Sequence, residues 1–466
     1  MLQSSGMDYK NYFKNKKITV MGLGLLGRGL GVIKFLAECG ADLTVTDLKS
    51  KEELESSLKK LSKYKNIKYV LGEHRLEDFR GKDMVVRAPN APLDSIYLAE
   101  ARKNKIPVEM DASLFTKLAP QGVLTIGVTG TRGKSTVTHM LYEVLFAGKK
   151  KVYLGGNVRG LATLPLLKKV NPPAGGGDIV LMELDSWQSQ GFGEAQISPN
   201  ISVFTTFMND HMNYYKGDMD RYFIDKANLF KYQKAGDVAI VGEQVWQKFT
   251  RLRPPTSPLL RRGKEGSVVA KKAGSKNLPS NWKLKIIGEH NRYNAGLVVV
   301  VARELGIADK VIKKAVESFA GVSGRLELVR EVGGVKYFND TTATSPDGLF
   351  SALKALENKK GKIILLAGGT DANLDLSQVG KEVSKYVKAL ILFKGTATDQ
   401  ILLQLPKKPK FPVEVVESMV DALKLAKGLA KKGDIVLLSP GAKSFGVFKN
   451  EFDRGDQFVK GVKKIK

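Results

Sequence analysis

The chain has 466 residues, with 75 Lys plus Arg against 47 Asp plus Glu, a formal charge of +28. Its length predicts several domains and excludes a peptide or a disulfide-stapled mini-protein, while 43% hydrophobic and 26% charged residues exclude a disordered chain. The single cysteine, Cys39, excludes internal disulfides and multi-cysteine metal clusters, and with no run of about 18 apolar residues and no apolar core in Met1 to Lys17 the expected location is the cytoplasm, without membrane insertion.

The first segment reads as an α/β unit. Ile18-Thr-Val-Met is an apolar run, Gly22-Leu-Gly24-Leu-Leu-Gly27 follows, Val32 to Glu38 has helical apolar spacing, and Leu43-Thr-Val-Thr is a second strand ending at Asp47. Asp47 lies about 20 residues beyond Gly27, the spacing of a dinucleotide fingerprint, in which Gly22 permits the tight turn, Gly24 admits a pyrophosphate and Asp47 accepts from a ribose hydroxyl. Glycines that only close a strand-to-helix turn would read the same way. Asp83 to Arg87 and Pro107 to Glu109 are expected as further strands of this sheet, and Leu118 to Gly122 as a linker.

A second α/β region begins at Val123. Its strand Leu124 to Val128 runs into Thr129-Gly-Thr-Arg-Gly-Lys134-Ser135-Thr136, and a helical stretch follows from Val137 to Phe146. A strand that turns through glycines into a helix offers backbone N–H groups and the positive helix end to phosphate oxygens, with Lys134 as a point charge and Ser135 as a hydroxyl for Mg²⁺. The general phosphate-loop spacing would put glycine at Val128; here it stands one residue earlier, at Gly127. Asp178 to Glu183 and Ile201 to Thr206 are strands ending in polar residues, the edge where open α/β sheets place ligands. Arg251 to Trp282 is strongly basic with prolines and glycines and reads as an irregular surface excursion. Leu326 to Phe338, Lys362 to Ala367, Ala389 to Phe393 and Asp434 to Leu438 then alternate with helical segments as a third α/β region. The basic surplus is expected to be diffuse lysine, because it is scattered and no nucleic-acid motif accompanies it.

The TGTxGKST form at Thr129 to Thr136 resembles the Mur ligase family, and further blocks stand in that family's order: Glu183-Leu-Asp-Ser186-Trp-Gln188, Asn209-Asp-His211-Met, Asp225-Lys226-Ala-Asn-Leu, Gly288-Glu-His-Asn291 with Asn294, Gly324-Arg325-Leu-Glu, Asn339-Asp340-Thr and Leu438-Ser-Pro440. The resemblance spans the chain. It implies three domains: residues 1–119, Rossmann-like and binding a UDP-sugar; 120–320, a central ATPase-like parallel sheet; and 321–466, Rossmann-like and binding an amino acid. The glycine-turn first domain and the block Ser439 to Asn450 are most similar to the branch that joins D-glutamate to UDP-N-acetylmuramoyl-L-alanine, with ATP, in peptidoglycan precursor synthesis.

The resemblance also implies roles. Lys134, Glu183, His211 and Lys226 would be catalytic, and Gly130, Thr131, Arg132, Gly133, Lys134, Ser135 and Thr136 would take the ATP phosphates. Asn291 and Arg325 would meet adenine and the ribose-phosphate, and Asp340 the ribose hydroxyls. Two Mg²⁺ ions are implied, one on Ser135 and Glu183, a second helped by His211, with Lys226 carbamylated by CO₂ into a metal-binding carboxylate. Gly24, Leu25, Leu26 and Asp47 would cradle the UDP end; Asn157, Ser186 and Gln188 would face the muramoyl part; Thr344, Ser444 and Phe445 would lie at the D-glutamate end. A monomer acting on small molecules, without nucleic acid, is expected. The chain departs from the pattern at Ala88-Pro-Asn90, Arg132 and Asp185, and at Thr342 and Ala372, where lysines are usual; Lys443, Lys449 or Arg454 are the cations available to replace them. A ligase with a different acceptor, of another Mur or folylpolyglutamate synthase type, and an NAD-dependent dehydrogenase are the alternative readings.

Overall fold

In the computed structural model the described residues are 8–25, 27–89, 91–92, 94–170, 177–252, 268–359, 361–371, 374–444 and 446–465. The first sheet comprises β1 (Lys17–Met21), β2 (Asp42–Asp47), β3 (Ile67–Leu71), β4 (Met84–Arg87) and β5 (Val108–Glu109), all parallel in the order β3-β2-β1-β4-β5. The second comprises β6 (Leu124–Thr129), β7 (Val152–Gly156), β8 (Ile179–Glu183), β9 (Ile201–Phe204), β10 (Val238–Gly242) and β11 (Val269–Ala273), parallel in the order β11-β10-β9-β6-β8-β7. The third comprises β12 (Glu327–Val332), β13 (Val335–Asn339), β14 (Ile363–Gly368), β15 (Val387–Phe393), β16 (Val413–Val416) and β17 (Ile435–Leu438). Its order is β12-β13-β17-β14-β15-β16, and only β12 runs antiparallel to its neighbour.

Helices cover both faces of parallel sheets, so their central strands are apolar throughout. Every residue of β8, β10 and β14 is buried. Two compact units result: residues 1–284 with 289–319, and 285–288 with 320–466. The first unit holds two sheets because one apolar core runs through it, from Ile18, Phe35 and Leu43 through Leu114 and Phe115 to Leu164, Leu184 and Phe192. The buried Asp111 carboxylate ties the junction, accepting from the backbone of Thr163 (2.8 Å) and Leu164 (2.7 Å).

Three sequence expectations change. The basic stretch from Arg251 is not irregular throughout: Val269–Ala273 is an edge strand paired with β10, and residues 253–267 lie outside the description. Lysines at positions 271 and 272 hide the strand in a sequence reading, and an exposed edge tolerates them. Leu326 to Phe338 is not one extended segment but two antiparallel strands joined at Gly333 and Gly334, whose φ of 58° and 76° suit a hairpin turn. Leu118 is not linker; it ends the helix Asp111–Leu118 and is buried.

Lys149, Lys150, Lys407, Lys408 and Lys410 are exposed. Among the described residues no helix is long and apolar enough to cross a membrane.

Candidate active site

The helix after β6 begins at Lys134, three residues before the sequence reading placed it, so the phosphate loop runs directly into its positive end. Gly133 is the N-cap at φ 86°, and a Cβ there would lie 2.4 Å from Oδ1 of Asn294 on the helix Glu289–Glu304. Both the backbone angle and the contact demand glycine. Gly127 is a packing glycine within β6, where a Cβ would stand 2.8 Å from Pro199 and 3.1 Å from Leu184, so it takes no part in the loop. Residues after β9 brace the loop from the side: Thr206 Oγ1 accepts from Arg132 N at 2.9 Å, and Thr131 N donates to Thr206 O at 2.7 Å. The sequence reading missed Thr206 as a partner, although its place at a strand's polar end was visible.

Two cations and two oxygens converge here. Lys134 Nζ donates to the carbonyls of Gly130 (2.9 Å) and Thr131 (3.1 Å), and Lys226 Nζ donates to Gly130 O at 3.0 Å. Ser135 Oγ donates to Glu183 Oε1 at 2.8 Å, both residues being buried at the ends of neighbouring elements. Lys226 is 1% exposed on the helix Met219–Lys231; burial, and then the nearby Lys134, holds its ammonium well below the ordinary lysine range.

His211 stands in the left-handed region (φ 58°) at the start of the short helix Met212–Tyr215, with its ring 4.8 Å from that of Trp187. Desolvation lowers its pKa, opposed by Asp210, which also faces Arg132 at 3.6 Å. Asp185, where the pattern has serine, caps the helix Ser186–Glu194 in a capping box with Gln188: Gln188 N donates to Asp185 Oδ1 at 2.8 Å, and Gln188 Oε1 accepts from Asp185 N at 3.4 Å. Gln188 is thus buried in the cap, and Ser186 beside it is buried with its hydroxyl near that of Tyr215. Thr136 lies in the first turn of the phosphate-loop helix, and Asn291 in the first turn of the helix that carries Asn294.

At the end of the first sheet Asp47 Oδ2 accepts from Leu23 N and Gly24 N, each at 2.9 Å, and Oδ1 from Lys49 N at 2.9 Å. The carboxylate that the fingerprint assigns to a ribose is therefore engaged in holding the glycine turn itself. Leu25 is exposed on that turn; Leu26 lies outside the described residues. Asn157 Oδ1 accepts from Arg28 at 2.8 Å, and its backbone N donates to Glu183 O at 2.5 Å.

The second unit places its own residues at the carboxyl ends of its strands. Asp340 is buried after β13, accepting from Ser439 Oγ (2.8 Å) and Leu326 N (3.0 Å), and burial pushes its carboxyl up to about 7 against the pull of Arg325. Thr344 is half-buried, Thr342 Oγ1 donates to Gly324 O at 2.8 Å, and the Ser444 hydroxyl is buried with no hydrogen-bond partner among the described residues; Phe445 and Ala372 lie outside them. Arg454 is fully buried: its guanidinium donates to Thr341 O (2.9 Å), Thr341 Oγ1 (3.2 Å) and Ala442 O (3.4 Å), and burial brings its pKa down to about 10. It braces two loops and is not presented at the surface, unlike exposed Lys449.

Comparison with known proteins agrees with this layout. Residues 16–109 match the Mur ligase MurD-like N-terminal domain, 128–302 the Mur ligase middle domain, and 324–441 the Mur ligase glutamate ligase domain. The UDP-N-acetylmuramoylalanine--D-glutamate ligase of Roseiflexus sp. (strain RS-1) is 37% identical, over 95% of this chain and 97% of its own. That of Borreliella afzelii (strain PKo) is 35% identical, over 96% of this chain and 98% of its own. Among solved structures, the UDP-N-acetylmuramate-alanine ligase MurC of Thermotoga maritima superposes with a TM-score of 0.59 at 20% identity, covering 97% of this chain and 100% of that one. MurF ligase of the same organism, in complex with ADP, gives 0.58 at 17% identity, covering 98% and 97%. These structures share the fold. With all three of its segments matched in order and full-length relatives above 30% identity, the chain belongs to the Mur ligase family.

Proposed function

We propose that this protein ligates D-glutamate to UDP-N-acetylmuramoyl-L-alanine with ATP, releasing ADP and phosphate, in peptidoglycan precursor synthesis. The observation that carries the reading is the Ser135–Glu183 pair at 2.8 Å beside Lys134, at the head of a phosphate loop, in a chain 37% identical to a ligase of that name. An amide cannot form from a carboxylate and an amine at neutral pH without activation. The substrate carboxylate attacks the γ-phosphorus and ADP leaves; the amine then adds to the acyl phosphate, and phosphate departs from the tetrahedral intermediate. Negative charge gathers on oxygen in both steps, which calls for cations and oriented donors rather than an acid–base pair.

Lys134 and the loop amides from Gly130 to Thr136 bind and orient the phosphates. Among the described residues no group of three or more His, Cys, Asp or Glu side chains could hold a metal alone. A hydroxyl and a carboxylate side by side are the donor set of a hard cation that completes its shell with nucleotide phosphate and water, so Ser135 and Glu183 fit Mg²⁺. The bound ion would offset phosphate charge. His211 and Lys226 would serve a second ion, Lys226 after carbamylation: the unprotonated form of its buried amine forms a bond to the carbon of CO₂, one C=O bond opens to an oxygen anion, and the nitrogen loses a proton. The depressed pKa supports this, because it favours the unprotonated, nucleophilic amine over the ammonium.

Asn291, Arg325 and Asp340 are assigned to the nucleoside of ATP, Asn157 and Ser186 to the muramoyl part, and Thr344 and the buried Ser444 hydroxyl to the amino acid. The domain match at 16–109 favours this reading over a folylpolyglutamate synthase type, and the engagement of Asp47 by its own turn disfavours NAD binding. The test is phosphate release with UDP-N-acetylmuramoyl-L-alanine, ATP, Mg²⁺ and D-glutamate, each omitted in turn, followed by a panel of amino acids. A higher kcat/KM with another acceptor would overturn the D-glutamate assignment.

A further inference from the structure

Arg28 opens the helix Arg28–Glu38, directly after the glycine turn of the first sheet. The helix has no side-chain cap and no acidic residue in its first turn to offset its positive end. The guanidinium itself is half-buried and makes no ion pair among the described residues. One nitrogen, Nη2, donates to the neutral amide oxygen of Asn157 at 2.8 Å, while Nε is buried with no hydrogen-bond partner among the described residues. The acid that faces it, Asp111, is engaged elsewhere: its two oxygens accept from Thr163 N and Leu164 N. At the far end of the same helix Lys168, by contrast, is paired with the carboxylate of Glu38.

The surroundings hold Arg28 in place. The helix packs tightly on the segment after β7, where a Cβ on Gly31 would stand 2.8 Å from that of Ala162 and one on Gly27 would stand 3.6 Å from Gly160 O. Asn157 in turn is fixed by its backbone bond to Glu183 O at 2.5 Å, and Glu183 holds Ser135. A continuous line of contacts therefore runs from the glycine turn through Arg28, Asn157 and Glu183 to the phosphate loop.

We propose that Arg28 binds the diphosphate of the uridine diphosphate sugar, and that its bond to Asn157 sets the diphosphate at a fixed distance from the carboxylate of Glu183. This rests on the reading that the glycine turn receives a UDP-sugar. The forked guanidinium suits two phosphate oxygens. Arg28 is then a substrate-positioning group on the first sheet, complementary to Lys134 on the second: one cation for each phosphate-bearing substrate.

The experiment is calorimetric binding of UDP and of uridine to the full chain, in wild type, Arg28→Ala and Arg28→Lys. Arg28→Ala is expected to weaken UDP by about tenfold to a hundredfold while leaving uridine unchanged, the range of one charge-assisted contact. Arg28→Lys keeps the charge, guards against misfolding of the alanine variant, and is expected to fall between. Equal UDP affinity in wild type and both variants would overturn the role of Arg28 and leave the UDP-sugar reading standing. An equal loss for UDP and uridine would also overturn it, since that is the signature of general damage. Failure of the wild type to bind UDP would instead remove the reading on which the proposal rests.

Discussion

Lys134 and Lys226 donate to the same acceptor, the carbonyl oxygen of Gly130, from 2.9 and 3.0 Å. Two ammonium nitrogens sharing one oxygen repel each other, and Lys226 is the one without water. Its amine is therefore the form that folding favours, which is the form that reacts with CO₂. The expected outcome is that protein stripped of CO₂ by degassing in mildly acidic buffer loses most ligase activity and regains it with bicarbonate, and that Lys226→Ala is inactive with or without it. Activity indifferent to bicarbonate in both forms would remove the carbamate from the mechanism.

Glu183→Ala leaves the hydroxyl of Ser135 without its acceptor and takes away the carboxylate of the metal pair. Phosphate release is expected to fall by at least about a hundredfold, the effect of losing one oriented electrostatic group. Thermal melting should shift only slightly, because the carboxylate lies at a strand end rather than in the apolar core. Retained turnover would place the metal elsewhere.

Gly133→Ala tests the fit of the phosphate loop. The new methyl would meet Asn294 Oδ1 at 2.4 Å on a backbone with φ 86°. The strain is expected to be about 1–3 kcal/mol, read as a melting temperature several degrees lower and as a raised KM for ATP. Gly127→Ala would disturb β6 packing against Pro199 and Leu184, lowering stability with a smaller change in the KM for ATP.

Asp340 carries a pH signature. Its carboxyl is raised from 3.8 to about 7 in the folded chain, so between those values the folded state holds a proton that the unfolded state has released. Stability from this group is complete below about pH 4 and is lost as pH rises through 7, to a penalty on the order of 4 kcal/mol. Asp340→Asn should melt above wild type at pH 8, and the difference should shrink below pH 5. A pH-independent difference would show that the carboxyl titrates normally.

The central phosphate loop was legible because its chemistry is contiguous: a strand, glycines, Lys134, Ser135 and a helix follow one another, and local geometry turns them into a phosphate cradle. The strand pattern of the buried sheets was legible for a similar reason, since parallel strands covered on both faces are apolar runs. Edge strands were not. Val269–Ala273 carries lysines because one side meets solvent, and β12 and β13 merged into one run because a two-glycine turn scarcely interrupts the pattern.

By itself the sequence determined three α/β regions, their phosphate loop and the family to which they belong, because each depends on residues close together in the chain. Tertiary structure decided the partners. Ser135 meets Glu183 48 residues away because β8 pairs with β6; Lys226 reaches Gly130 across 96, Asp340 meets Ser439 across 99, and Arg28 finds Asn157 across 129. It also turned Asp47 onto its own loop, Gln188 into a helix cap and Arg454 into a buried brace. A side chain's charge and length are written in the sequence, but which acceptor it reaches depends on the order in which strands are laid side by side, and only the folded sheet supplies that order.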